Sequence, residues 1–307
     1  MNWFTSTASD LRTLTRGLLR TRSSRELNYY LCRFFGAEAR ERIADACAHT
    51  LPARTTSEPE PEKLRELQAL GFTMLDGLCS PEQADALYAE LRHVPCRDPH
   101  RPELGVFTRD TAPEVTHVAL LDEAALLRSA AALRLSRDPR VLSLVESFLG
   151  ARATALVTAW WSFANGAPAE HAQLFHRDKD DWRFVKLFVY LTDVDEDSGP
   201  HVFVPGSQRP RRREFASQRR YRDDEVESVF GAGAERHFTG GRGTAFLENT
   251  FGLHKGLPPR RGERLIFQVT YSLFPLLYAP ERPLVGATEL PIEHDPYLHR
   301  LYVDETR

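Results

Sequence analysis

Apolar residues recur three and four positions apart near the start of the chain: Leu11, Leu14, Leu18 and Leu19, then Leu27, Leu31, Phe34 and Phe35. That spacing predicts helices across 5–50. The stretch LPARTTSEPEPEK (51–63) is polar and proline-rich, which predicts an exposed linker and a soft boundary near residue 60. A short helix ending at Gly71, a strand-like FTMLDGL (72–78) and a helix opened by Ser80-Pro81-Glu82 come next. Ser80 suits the N-cap, and Pro81 the first helical position, where its missing N–H costs nothing. A further helix is predicted over 137–149, closed by Gly150.

From Ala151 the texture changes. ATALVTAWWSF (153–163), FVKLFVYLTDV (184–194), VFVPGS (202–207), GTAFLENTFG (243–252) and RLIFQVTYSLF (264–274) are rich in Val, Phe, Tyr and Thr and bounded by Gly and Pro. They read as strands with no long helices between them. Helices first and strands afterwards predict an α+β protein built around an antiparallel sandwich or barrel. The tail from Pro275 reads as irregular chain that wraps the core or meets a partner.

Composition narrows the classes. Forty Lys and Arg against 43 Asp and Glu leave a formal charge of −3, with no electrostatic footprint for nucleic acid or anionic membrane. Only four of the cations are lysines: Lys63, Lys179, Lys186 and Lys255. The cysteines Cys32, Cys47, Cys79 and Cys96 form no C-x-x-C pair and read as reduced thiols. Asp10, Arg12 and Arg16 interrupt the N-terminal segment, so it lacks a signal-peptide apolar core, and no stretch reaches the ~20 apolar residues of a membrane span. The expected location is cytoplasmic.

The chemistry concentrates in FHRDKDDW (175–182). On an extended chain His176 and Asp178 project from one face, where an imidazole and a carboxylate can share a metal ion. His254, in a second strand-like segment, supplies another imidazole. Two histidines and one carboxylate make the facial triad of non-haem Fe(II) oxygenases, which leaves metal positions open. A structural zinc site would close its coordination, and no fourth ligand is evident. In RLIFQVTYS, period-two alternation puts Arg264, Ile266, Gln268 and Thr270 on one face. A guanidinium at an otherwise apolar strand position suits bidentate capture of a carboxylate.

FHRD, then YLTDVDEDSGPHVFVPGSQR (190–209), then the distal HKG and the following arginine resemble the phytanoyl-CoA dioxygenase family. The resemblance covers roughly 64–274 and includes GFTMLDGLCSPEQADAL near its start. It implies a double-stranded β-helix (jelly-roll, cupin-like) core at about 151–274, within a domain of 61–307 preceded by a helical extension and linker of 1–60. It also implies Fe(II), 2-oxoglutarate and O2 as cofactor and co-substrates. By resemblance His176, Asp178 and His254 are the metal ligands, and Arg264 pairs with the far carboxylate of 2-oxoglutarate. Arg260 and Arg261 compete for that role from a solvated turn and are the less favoured. Halogenating relatives lack the carboxylate, so Asp178 implies hydroxylation or a related oxidation.

Other residues have two readings. Gln173 lies where family members often place a polar residue near co-substrate or substrate, or it is an ordinary loop amide. Lys186 shares a strand face with Phe188 and Tyr190, either as an inward cation on a carboxylate or as a snorkelling surface lysine. Trp160 and Trp161 must point opposite ways, with core packing favoured over a substrate wall. His171 and His201 read as structural histidines before they read as a fourth ligand. Asn249 and Thr250 could orient co-substrate. The arginine-rich segment 209–227 is a solvated self-paired stretch, or a lid recruiting an anionic substrate.

The expected activity is therefore hydroxylation of an unactivated C–H in a small-molecule or acyl substrate, with 2-oxoglutarate decarboxylated to succinate and CO2. Desaturation, epimerisation or cyclisation with the same cofactors is the nearest alternative. A catalytically silent binding protein and a jelly-roll metal isomerase or sugar-binding protein stand further off.

Overall fold

The computed structural model describes residues 17, 18, 21, 23–209, 215 and 219–307. The start of the helical region expected from residue 5, and residues 210–214 and 216–218 of the arginine-rich segment, lie outside them. Helices at Ser24–Phe34 and Ala37–Ala48 are followed by irregular chain and then a helix at Pro61–Leu70. Gly71 stops that helix in a left-handed conformation, φ 90°, which glycine adopts without a Cβ penalty.

The strands of the two antiparallel sheets are β1 (Phe72–Met74), β2 (Cys96–Arg97), β3 (Val106–Phe107), β4 (Val118–Leu121), β5 (Thr154–Phe163), β6 (Phe184–Tyr190), β7 (His201–Phe203), β8 (Arg236–Phe238), β9 (Ala245–Glu248), β10 (His254–Gly256) and β11 (Glu263–Ser272). They form an eight-stranded sheet in the order β1-β9-β6-β11-β5-β4-β2-β3 and a three-stranded sheet in the order β10-β7-β8. Every pairing within both is antiparallel. Two antiparallel sheets with helices on the outer face of the larger one are the α+β jelly roll expected. The short β2, β3, β4 and β8 were not read as strands, whereas β1, β7 and β9, no longer than four residues, stood out only because longer apolar runs carry them.

Alternation sorts the side chains. Leu265, Phe267, Val269 and Tyr271 of β11 join Val185, Leu187 and Val189 of β6 in the core between sheet and helices. Ile266, Phe188 and Tyr190 turn the other way and pack with Phe203, Phe238 and Phe246 between the two sheets. Trp161 is fully buried in the first core, whereas half-buried Trp160 packs on the second. The helix at Pro81–Leu91 has the expected cap, Ser80 Oγ accepting from Gln83 N while the Gln83 side chain returns to Ser80 N.

One expectation is corrected. GTAFLENTFG is not a single strand running on toward His254: β9 stops at Glu248, and His254 opens β10 in the other sheet. The cause is a turn in which Asn249 Oδ1 accepts from Phe251 N and its carbonyl accepts from Gly252 N. A Cβ on Gly252 would sit 2.4 Å from the Phe203 ring, so the return past β7 needs glycine.

The tail wraps the core. Leu298, Leu301 and Tyr302 are buried in it, and Tyr302 Oη bonds both N and O of Val157. Beside them His299 is completely buried, its Nε2 on Ser136 Oγ at 3.1 Å. Burial pushes its imidazole down to about 4. The unfolded chain takes up that proton near pH 6.5 while the folded protein resists it. Stability present above pH 6.5 is therefore lost as pH falls toward 4, by about 3 kcal/mol at the end of the window. Urea melts at pH 7 and pH 4.5 are expected to show a smaller pH loss in His299→Gln than in wild type. An equal loss would contradict this origin.

Candidate metal centre

The triad is assembled by backbone pairing. His176 and His254 face each other in an antiparallel bridge, each N–H donating to the other's carbonyl at 3.0 Å. Asp178 N continues the ladder onto Thr250 O at 2.9 Å. This register brings His176 Nε2 within 3.6 Å of Asp178 Oδ1, and His254 Nε2 within 3.4 Å of Asp178 Oδ2. One ligand atom from each residue lies within 4.8 Å of the others, an arrangement able to hold a metal ion.

Both rings are aimed. His176 Nδ1 lies 2.9 Å from Leu174 O, and His254 Nδ1 lies 3.0 Å from Gly252 O. A ring nitrogen opposite a carbonyl must carry the hydrogen, which leaves Nε2 as a bare donor on each ring. Burial and the neighbouring His254 hold His176 well below the usual imidazole range. Burial also works against charge on Asp178, but Lys186 and His254 outweigh it and keep the carboxyl well below its ordinary value. Burial disfavours charge on His254 too, but Asp178 outweighs it and raises that imidazole, so an incoming metal displaces its proton. Two imidazoles, then both neutral, and one carboxylate suit a borderline divalent ion such as Fe(II).

Lys186 proves to be the inward cation. Its Nζ lies 2.7 Å from Asp178 Oδ2 and 3.2 Å from Asp180 Oδ2. It therefore grips the triad carboxylate and does not offer an open ammonium to a co-substrate. Asp180, not singled out beforehand, also accepts from Tyr278 Oη at 2.7 Å. Its signal was present: Asp178 and Asp180 share the same alternation. Asp181 is turned away and accepts from Asn28 Nδ2 and Phe274 N, each at 2.8 Å. The N-terminal helices thus grip the loop after the triad, with Arg40 donating to Asp181 O and, at 3.3 Å, to Trp182 O.

Arg264 is buried on the inner face of β11, 7% exposed. It donates to Gly199 O and, at 3.1 Å, to Ser162 Oγ, while its Nε has no partner. No carboxylate pairs with it among the described residues, and burial lowers its pKa. A buried guanidinium left without an anion is set up to receive one. Gly256 makes room, since a Cβ there would lie 3.2 Å from Arg264 Nη2. Arg260 and Arg261 are exposed and paired with Asp197 and Asp195.

Gln173 is buried before the triad strand, its Oε1 accepting from Glu170 N at 2.9 Å and its Nε2 without a partner. His171 stacks on His100 at 3.8 Å, outside the triad. His201 is not in the metal-binding group. It pairs with Glu248, a fully buried carboxylate that sequence reasoning missed inside an apolar strand. Thr250 is buried with its hydroxyl unpartnered, and Asn249 holds the turn. Of the arginine-rich segment, Arg219 and Arg222 are self-paired with Glu225 and Asp224.

Known proteins resemble this chain in sequence and in fold. The chain is 32% identical over 162 residues to the ectoine dioxygenase of Bordetella parapertussis, covering 48% of this chain and 49% of that one. The match thus spans about half the length of the relative. The EctD structure from S. alaskensis with bound Fe superimposes with a TM-score of 0.50 at 15% identity, over 83% of this chain and 91% of that one. HygX from Streptomyces hygroscopicus with nickel, 2-oxoglutarate and hygromycin B bound gives a TM-score of 0.50 at 16% identity, over 80% and 96%. These two likenesses show the fold. The profile of the phytanoyl-CoA dioxygenase family (PhyH) matches residues 67–250, and the chain belongs to that family.

Proposed function

We propose that this protein is an Fe(II)- and 2-oxoglutarate-dependent oxygenase that hydroxylates a small-molecule substrate. The reading rests on one observation: three converging ligand atoms with both imidazoles aimed, and, against the strand that carries His254, a buried guanidinium that lacks an anion. His176, Asp178 and His254 would hold the iron, and Arg264 the distal carboxylate of 2-oxoglutarate. Charge supports the pairing. Asp178 offsets one charge of a divalent ion, and the remainder together with Arg264 balances a dicarboxylate dianion. Bound iron would supply oxygen activation coupled to decarboxylation of the oxo acid to succinate and CO2.

The chain's own residues do the rest. Leu174 O and Gly252 O fix the imidazoles, and Lys186 fixes the carboxylate. Arg264 orients the co-substrate so that one end faces the triad. Phe188, Phe246 and Trp160 line apolar surface between the sheets, which keeps water from the reacting centre. No acid–base pair of side chains is required. Arg220, exposed and electrostatically coupled to both His176 and Asp178, favours an anionic substrate.

Purified protein given Fe(II), 2-oxoglutarate and O2 is expected to form succinate, and to stop when the iron is chelated. Succinate formation unaffected by chelation would remove the reading. With a turned-over substrate, a product that gains one oxygen from labelled O2 marks hydroxylation, whereas none marks desaturation, epimerisation or cyclisation. No described helix is long and apolar enough to cross a membrane, and the four cysteines are unpaired. Free thiols suit a reducing, cytoplasmic setting.

A further inference from the structure

The His201–Glu248 pair has no part in the triad, yet it borders the same space. His201 stands on β7 opposite Gly256 of β10, the glycine that abuts Arg264. Two residues upstream on the same segment, Gly199 O accepts from Arg264. On its other side the His201 ring lies 5.6 Å from the His254 ring, tilted by 26°. His201 therefore stands between the anion-seeking guanidinium and the metal ligands. Its backbone is pinned, N–H donating to Tyr190 Oη at 3.0 Å while that hydroxyl donates to Phe238 O at 2.8 Å.

The side chain is equally constrained. Nε2 lies 3.1 Å from Glu248 Oε1, and Phe188 covers one face of the ring at 4.8 Å between centroids. Nδ1 has no hydrogen-bond partner among the described residues. The imidazole keeps 8% of its surface open while the Glu248 side chain keeps none, so the open edge is away from Glu248. A fully buried carboxylate among phenylalanines is costly unless it is paired or keeps its proton. Burial pushes Glu248 up to about 8, with His254, Asp178 and Lys186 as the other charges acting on it. Glu248 is sealed from solvent with His201 Nε2 against it, so it keeps its proton and donates it to Nε2, which places the ring hydrogen on Nδ1.

We propose that His201 is a positioning residue for the oxo-acid co-substrate, its Nδ1–H donating to an oxygen of the bound dicarboxylate while Glu248 fixes the tautomer. The idea rests on the function proposed above and assigns the pair a role beyond it. The dyad is neutral overall, so it supplies a donor without adding a charge the site would have to balance.

The test is anaerobic. Fe(II) is titrated into the apoprotein, followed by 2-oxoglutarate, and the visible metal-to-co-substrate band gives both affinities. His201→Leu is expected to leave iron affinity near wild type, to lower Tm modestly because buried Glu248 loses its partner, and to weaken 2-oxoglutarate roughly 10-fold or more in the folded protein, the loss of one charge-assisted hydrogen bond. His201→Asn, which keeps a donor, is expected to recover part of it. In turnover the change is expected in KM for 2-oxoglutarate more than in kcat. Should His201→Leu not fold, Glu248→Leu gives the second reading: weaker 2-oxoglutarate with iron retained. Unchanged 2-oxoglutarate affinity in the folded variants overturns the proposal. So does a loss that only follows a fallen Tm or lost iron. A wild-type protein with no band would instead overturn the oxygenase reading itself.

Discussion

Asp178→Ala is expected to abolish 2-oxoglutarate turnover and to weaken Fe(II) binding by about 100-fold or more. Even a partner behind a metal ligand is worth roughly 10–100-fold in affinity, and Asp178 is the only anion in the triad. Removing it leaves two neutral rings facing a divalent ion. It also takes one carboxylate from buried Lys186, which keeps Asp180 at 3.2 Å. An unpaired buried charge would cost about 3–5 kcal/mol, so the remaining partner limits the loss of stability. Asp178→Asn, similar in shape, separates the two effects: it is expected to melt near wild type and still bind iron poorly. Iron titration with a competing chromophoric chelator reads the first effect, and thermal melting the second. Full turnover in Asp178→Ala would remove the triad from the account.

Arg264→Ala is expected to raise the 2-oxoglutarate requirement while iron binding stays near wild type. Truncating one member of a buried charge pair costs about 2–4 kcal/mol, which is roughly 30–1,000-fold in affinity. The substitution also strands Gly199 O and Ser162 Oγ, the present partners of the guanidinium. Arg264→Lys is the sharper probe. It keeps the charge and loses the planar fork, and is expected to fall between the two. Initial rates against 2-oxoglutarate, with iron saturating, give the answer. An unchanged requirement would leave the carboxylate without its proposed partner, and Arg260 and Arg261 are already committed to exposed aspartates.

The parts of the molecule that were legible in the sequence are those where one local rule dominates. Strand β11 alternates cleanly because one face meets helices and the other meets the second sheet, so Arg264 stood out against apolar neighbours. The helix after Ser80 announced itself by its cap. His176 and Asp178 were found because their spacing alone puts both on one face. What was missed depends on pairing between distant segments. Glu248 is an ordinary end to an apolar strand until β7 brings His201 to it, and Asp180 looks like solvated charge until Lys186 reaches it from β6. His254 was found, but its place in the chain was misread. The turn at Asn249–Gly252 moves it from one sheet to the other; Asn249 and Gly252 are turn residues, but they were read as the end of the strand. Lys186 was left open for the same reason, since its partner lies on another segment. Three of the four lysines, Lys179, Lys186 and Lys255, are buried. Burying a lysine needs partners or desolvation that sequence alone does not display.

The central claim is that His176, Asp178 and His254 bind iron in a form that also binds 2-oxoglutarate. Anaerobic titration of the metal-free protein with Fe(II) and then 2-oxoglutarate tests it most directly, followed through the visible iron-to-co-substrate band. The account predicts that the band grows to one equivalent in wild type and is absent in His254→Ala. Iron that binds without a band on adding 2-oxoglutarate, or a band that survives in His254→Ala, would contradict it.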